Sequence, residues 1–390
     1  MTEQRLRELF DDLAETLPEG QPRARELWRQ GARSRTHRRR TAAAAVATAA
    51  VLVVVGIAVS PEPAERDVTI YPSVYPTAAH TSAIPPVPVM DTAPPPDGEA
   101  GLPRLATALP ERWGDLPVAT SVPGAVLALA EFGDGRIYLV KSGGRVPLDV
   151  KLDPVGDVGT RVRPNSLAPD GTMAAFPQKD EVVVVDLVIG RARRYPVPGP
   201  NEVVLWRGEQ LLVEQKKANY LLDLATGKAR RQPYQGFTGV AGYRDLRIVP
   251  PGEGGRTVIR EGGSEAELDV RDLTGDGGLP VGAPGEHGWQ RDGLVARSAP
   301  AHDDRAESAA VVVVADAATG RLVRTLLLPR GDSPGRRCGQ GGCPVRGWIG
   351  HGTVIIESGD RLLAWNVATG ALSRVADLPE EVTAFSLRTG

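Results

Sequence analysis

One phrase is written four times in the C-terminal part of this 390-residue chain. It reads VVVVDLVIGRARR at 182–194, YLLDLATGKARR at 220–231, VVVVADAATGRLVR at 311–324 and LLAWNVATGALSR at 362–374. Each copy is an apolar run, an Asp or Asn, two or three residues, a Gly, and a short run with a basic residue. The anchors Asp186, Asp223, Asp316 and Asn366 stand 37, 93 and 50 residues apart. The widest gap is about twice the others, and Asp272, in DLTGDG, lies near its middle. Apolar runs rich in Val favour strands, and a Gly supplies the positive φ of a tight turn, so each copy predicts a hairpin. One hairpin cannot bury both of its faces. The copies must therefore bury one another, as stacked repeats do.

A second phrase, LAPDGTMAAF at 167–176, precedes the first Val run. The order is a PDG turn, an apolar strand, then an apolar strand ending D-x-x-T-G. With it, the stretch from about 120 to 388 resembles the WD40-like and TolB-like β-propellers, and the layout of the whole chain resembles bacterial, actinobacterial-type, membrane-anchored proteins of that kind. The resemblance implies a mainly β domain, a six-bladed propeller with blades near 122–152, 160–198, 201–235, 238–272, 284–329 and 345–377. A seventh blade follows if Leu102–Val118 contributes strands. Val382–Leu387 has no partner of its own, and blade one is a strand short. That last strand is expected to complete the first blade and close the ring, which removes open sheet edges. The Gly-His and Trp-Asp dipeptides of WD40 blades are missing. The tryptophan docking repeats of quinoprotein propellers are missing too, so no quinone and no other cofactor is implied. A pair of β-sandwiches is the competing fold, and it does not account for the period.

Upstream, TAAAAVATAAVLVVVGIAVS at Thr41–Ser60 carries no charged residue. A helix of that length rises about 27 Å over eighteen residues, close to the hydrocarbon thickness of a bilayer. Arg33, Arg35, Arg38, Arg39 and Arg40 stand immediately before it, and Pro61, Glu62, Pro63 and Glu65 after it. One-sided arginines predict a transmembrane helix at 41–60 with its N-terminus in the cytoplasm. A cleaved signal peptide is the competing reading. It would need a 40-residue n-region and would place Pro61 just after the cut. Residues 1–40 form the expected cytoplasmic head. Leu6, Leu9, Phe10 and Leu13 recur at helical spacing and make an amphipathic stripe. Acids lie between them, so the stripe suits a cytoplasmic protein partner, with the inner leaflet as the alternative. The head also resembles that of membrane-bound anti-sigma factors in layout, which implies regulation of a transcription factor; the His and paired Cys of the zinc-type head are absent. Residues 61–103, with ten prolines between Pro61 and Pro96, read as a disordered Pro-rich spacer. The domain at 104–390 is then extracytoplasmic.

Charge is nearly balanced, with 46 basic and 48 acidic residues, which leaves no basic footprint for nucleic acid. Both cysteines, Cys338 and Cys343, fall on the predicted outer side and are expected to form a local disulfide. A zinc site would need two further ligands, and only His351 is near in sequence. GDSPG at 331–335 matches G-x-S-x-G, but Pro334 and a Gly/Cys loop follow where a nucleophile elbow needs a helix, so Ser333 is read as a turn residue. His287, His302 and His351 lie in separate repeats. Asp272, Thr274 and Asp276 place oxygens as at the start of a calcium loop, but no later acid completes it, and a plain turn is the simpler reading. No catalytic residue is assigned. The expected function is non-enzymatic binding or sensing of an extracytoplasmic protein, peptide or glycan, against an exported propeller hydrolase or lyase as the alternative. If the crossing is real, an N-terminally tagged chain keeps its tag and resists carbonate extraction from membranes; loss of the tag on a gel would replace the anchor with a signal peptide.

Overall fold

The computed structural model describes residues 89–389, apart from 157–158, 243–244, 250–256, 269–287, 301–309, 330–337 and 339–342. The expected cytoplasmic head at 1–40 and the crossing at 41–60 lie outside the described residues. Among the described residues, no helix is long and apolar enough to cross a membrane.

In chain order, β1 (Val89–Thr92) and a 3-10 turn (Pro96–Gly101) come first. They are followed by β2 (Ala128–Phe132), β3 (Ile137–Lys141) and β4 (Gly144–Pro147), then by β5 (Met173–Asp186) and β6 (Arg191–Pro200). Next are β7 (Val203–Arg207), β8 (Gln210–Glu214), β9 (Asn219–Asp223) and β10 (Ala229–Arg231). After them come β11 (Val240–Ala241), β12 (Leu246–Val249), β13 (Val258–Glu261) and β14 (Ser264–Glu267). The chain continues with β15 (Gly288–Arg291), β16 (Leu294–Pro300), β17 (Ala310–Asp316) and β18 (Leu322–Leu328). It ends with β19 (Val345–Ile349), β20 (Thr353–Ser358), β21 (Arg361–Asn366), β22 (Leu372–Asp377) and β23 (Val382–Leu387). Among the described residues these strands form six sheets, antiparallel throughout except where β1 and β11 pair in parallel. Sheet I is β23-β2-β3-β4, sheet II is β5-β6, sheet III is β7 to β10, and sheet IV is β12 to β14. Sheet V is β15 to β18 with β11 and β1 added at its two edges, and sheet VI is β19 to β22.

The core lies between successive sheets. Leu129, Ile137 and Leu139 of sheet I pack on Phe176, Val183 and Val185 of sheet II. The alternate residues of the same β5 run, Val182 and Val184, face Val204, Leu211 and Val213 of sheet III. A strand buried on both faces reads as an unbroken Val run for this reason. Ile248 and Ile259 of sheet IV meet Val295 and Ala315 of sheet V. Val312 and Leu326 of sheet V join Val354 and Trp365 of sheet VI. Ile355 and Leu362 of sheet VI close onto Ala128, Tyr138 and Phe385 of sheet I. Leu205 and Leu212 of sheet III share a cluster with Ala241 of β11, just before sheet IV, so sheet order runs back to its start, which is a β-propeller. The last strand closes it as expected: β23 pairs antiparallel with β2, with Ala128 opposite Leu387 and Ala130 opposite Phe385.

The repeated phrase is the outer hairpin of a sheet. Asp223 Oδ1 accepts the Thr226 backbone N–H at 2.8 Å and its hydroxyl at 2.9 Å, and Gly227 N–H returns to the Asp223 carbonyl at 2.8 Å. Asp316 with Thr319, and Asn366 with Thr369, repeat the arrangement. The closing Gly adopts a left-handed φ of +70° at Gly227 and +79° at Gly370. At Gly370 a side chain would also collide with a neighbour: a Cβ would stand 2.5 Å from both Arg324 Nη2 and Asp91 Oδ1.

The spacer expected over 61–103 needs correction at its end. Residues 89–103 are built into the propeller rim. β1 pairs in parallel with β18, Val89 opposite Arg324 through Thr92 opposite Leu327. Asp91 accepts bonds from Arg324 Nε at 2.6 Å and Nη2 at 3.0 Å and from Trp365 Nε1 at 2.9 Å. Glu99 is buried and accepts the Ser358 hydroxyl at 2.7 Å. The path continues over sheet VI, where Leu105 N–H meets the Arg374 carbonyl at 2.9 Å, and over sheet I, where Arg145 N–H meets the Pro117 carbonyl at 2.9 Å. Trp113 is fully buried and packs edge-on against Phe385, centroids 5.7 Å apart. Leu102–Val118 therefore makes no sheet of its own; it contributes single bridges to β22 and β4. Prolines suggested a chain unable to pack, but a strap at a sheet edge needs donors on one side only, and its partners come from more than two hundred residues away.

Two outcomes follow. Trp113→Ala should cost about 3–5 kcal/mol in urea unfolding, as for large-to-small changes at a filled core site. Burial alone would raise the Asp91 carboxyl, but the bonds from Arg324 and Trp365 and the charge of Arg324 outweigh it and hold the pKa below the usual carboxylate value. Its contribution is therefore present above the unfolded value of about 3.9 and is lost as pH falls through the lower folded value. Asp91→Asn should be less stable than the parent at pH 7, and the gap should shrink on acidification below about pH 4.

Candidate functional site

Three inner strands each aim a tryptophan at the axis: Trp206 on β7, Trp289 on β15 and Trp348 on β19. All three are buried. Trp289 Nε1 donates to the Val345 carbonyl at 2.7 Å, and Trp348 Nε1 donates to the Trp289 carbonyl at 3.0 Å, so two indoles stitch sheet V to sheet VI. Gly347, at φ +137°, lets Trp289 and Thr389 close over the backbone. The remaining cavity on the axis is about 30 Å³ and is bordered also by Asn165, Gln290 and Arg291. That is room for one or two waters. The axis is a packed seam of indoles, closed to a ligand of any size.

A ligand-sized opening lies instead at the junction of sheets VI and I. It encloses about 510 Å³, within the usual range for a small-molecule or side-chain site. Its floor is Phe385 of β23, and Arg346 of β19 lies over that ring at 5.1 Å. Arg346 is held by Glu357, Nε to Oε2 at 2.5 Å. Asp360, on the β20–β21 turn, and Glu380, on the β22–β23 loop, stand at the lip, with Thr383 beside them. One arginine thus faces three carboxylates, and the arginine is already paired. The next residue, Glu381, turns to a neighbouring cavity of about 280 Å³ with Asp134, Phe132, Tyr138 and Arg145. There the Arg145 guanidinium sits over Phe132 at 4.4 Å and over Tyr138 at 5.2 Å. The short loop Leu378–Glu381 thereby presents one acid to each opening.

Glu131 and Glu214 are committed to structure. Glu131, 3% exposed, accepts the backbone N–H of Arg161 at 2.6 Å and of Val162 at 3.0 Å, and Arg161 Nη1 at 2.9 Å. Glu214 accepts the N–H groups of Thr238 at 3.1 Å and Gly239 at 2.8 Å. His351 Nδ1 lies 2.8 Å from Asp292 Oδ2, on adjacent turns of sheets VI and V. That pair is 74% and 42% exposed.

The structure joins Cys338 to Cys343, Cα atoms 4.7 Å apart, and Cys343 is buried in the core between sheets V and VI. Asp272, Thr274 and Asp276 lie outside the described residues, as do Ser333, His287 and His302. So do Leu6, Leu9, Phe10 and Leu13 and the arginines 33, 35, 38, 39 and 40. The sequence reading passed over the axial tryptophans and the junction opening. The tryptophans had a signal: each stands two to four residues before a Gly-containing turn that leads into an apolar strand. The opening had none, because it is assembled from β19, β20 and the last strand of the ring.

No family model matches this chain, and no curated protein matches it. Among solved structures it is similar to the β-propeller domain of the trilobed protease from Pyrococcus furiosus, at 14% identity and a TM-score of 0.39, covering 62% of this chain and 77% of that one. It is similar to the Pyrococcus horikoshii acylaminoacyl peptidase, at 13% and 0.41, covering 70% of this chain and 47% of that one. It is also similar to the extracellular domain of BT4673 from B. thetaiotaomicron, at 11% and 0.32, covering 68% and 36%. At such identities and TM-scores these likenesses carry no argument about activity.

Proposed function

We propose that this chain is a single-pass membrane protein, N-terminus cytoplasmic, whose six sheets are the six blades of an extracytoplasmic propeller that binds a ligand without transforming it. The uncharged run at 41–60 with arginines on one side supports the crossing. The succession of sheets I to VI, with sheet VI packed back on sheet I, supports six blades. One observation carries the binding reading: the opening of about 510 Å³ at the junction, with an aromatic floor and a lip of unlike charge. An apolar floor with a few placed polar groups is what recognition of a side chain requires. Arg346 is neutralised by Glu357 and Asp360 lies 3.7 Å from Arg361, which leaves Glu380 at the lip to select a basic group, so the ligand is a lysine- or arginine-bearing peptide or protein segment.

The full chain on an array of lysine- and arginine-containing peptides should retain a subset. Asp360→Lys combined with Glu380→Lys, both away from the core, should weaken that retention about tenfold or more, with unchanged unfolding midpoints. Retention indifferent to both substitutions would remove the junction as the site. Turnover of ester or peptide substrates, lost on Ser333→Ala, would establish the hydrolase instead.

A further inference from the structure

Four hairpins carry the repeated phrase, and one of them is built differently at its tip. After Asp223, Asp316 and Asn366 the tip is Ala-Thr, and each Thr hydroxyl bonds back to its anchor. After Asp186 the tip is Val188-Ile189. The anchor still accepts the Val188 N–H at 2.9 Å and the Ile189 N–H at 3.1 Å, so the turn forms without the hydroxyl. Val188 is 75% exposed and Ile189 68%, the two highest values among the exposed large apolar side chains of the described residues. A pair of branched apolar residues at a hairpin tip contributes no core and exposes surface that water disfavours.

Arginines flank the tip on the side of sheet III. β6 leaves it with Arg191 and Arg193, both exposed. They share a strand face with Tyr195, whose hydroxyl reaches the Leu224 carbonyl at 3.2 Å, so that face looks onto the β9–β10 turn. Arg230 and Arg231, both exposed, follow that turn on β10. Arg194, on the opposite face, is paired with Glu181. The nearby acids Asp170, Asp186 and Asp223 each accept hydrogen bonds within their own turns. The edge itself is closed to strand addition, because Pro196, Pro198 and Pro200 bring no N–H donors to it.

We propose that the β5–β6 hairpin docks on an anionic lipid surface, Val188 and Ile189 entering the headgroup region and Arg191, Arg193 and Arg231 meeting the lipid charges. Apolar tip and cationic flank on one rim fit that occupant: a protein groove would explain the tip alone, and an acidic protein the arginines alone. The inference stands on this hairpin and does not need the crossing at 41–60.

The test uses the full chain carrying Val188→Cys labelled with an environment-sensitive fluorophore. The native cysteines are bridged, so the added thiol is the one that reacts. Mixed phosphatidylglycerol–phosphatidylcholine vesicles should shift the emission to the blue, and doxyl-labelled lipid should quench it. Pure phosphatidylcholine should do neither. The same label at Ala368→Cys, on the tip of the β21–β22 hairpin, should stay in water in both. Arg191→Glu with Arg193→Glu should raise the lipid concentration at half-shift about tenfold. A label at 188 that stays in water on anionic vesicles overturns the proposal, as does an equal response to neutral ones. A shift produced by soluble polyglutamate but by no vesicle overturns it in favour of an acidic protein. Carbonate extraction of the same sample reads the crossing separately, so failure of one leaves the other standing.

Discussion

Everything in this fold depends on burying two faces of every sheet. A four-stranded meander of Val-rich strands has an apolar layer on each side, and no pair of such sheets satisfies both. A ring does, since each sheet lends one face to each neighbour. Val182 and Val184 serve one interface while Val183 and Val185 serve the next. The arrangement leaves a single difficult place, where the last sheet must meet the first.

That place is reinforced three times. β23 brings the end of the chain into sheet I as its inner strand. The rim strap from 89 to 119 passes over the outer edges of sheets V, VI and I in turn, so it spans the closure from outside. Trp113 from the strap and Phe385 from β23 meet edge to face at the junction itself. At the other end of the strap, Asp91 ties Arg324 of sheet V to Trp365 of sheet VI through one carboxylate. Segments remote in sequence are thereby locked together where an unclosed ring would open. The opening of about 510 Å³ lies at the same junction, and its floor, Phe385, is also part of the lock. A ligand seated there would touch the element that holds the ring shut.

The edges that the strap does not cover are handled by chemistry. Sheet II ends in β6, whose prolines and arginines discourage pairing with another chain. The Val188–Ile189 tip departs from that economy, and this is why it calls for a partner outside the fold.

The sequence by itself determined the repeat, the hairpin turns and the closing strand. These follow from local chemistry: an Asp or Asn that caps, a Gly that adopts positive φ, a Val run that needs two apolar neighbours. Asp223, Gly227 and Phe385 play the parts their positions announced. Composition misled at 89–103, because proline content reports the absence of local structure and is blind to a partner strand at 324–327. The carboxylate lip at Asp360 and Glu380 and the exposed pair at 188–189 were decided by tertiary structure alone. Each depends on which residues from distant repeats are brought to one point, and on whether a neighbour covers them. A one-dimensional period fixes the order of the sheets around the ring; it does not say what meets across the gap where the ring closes.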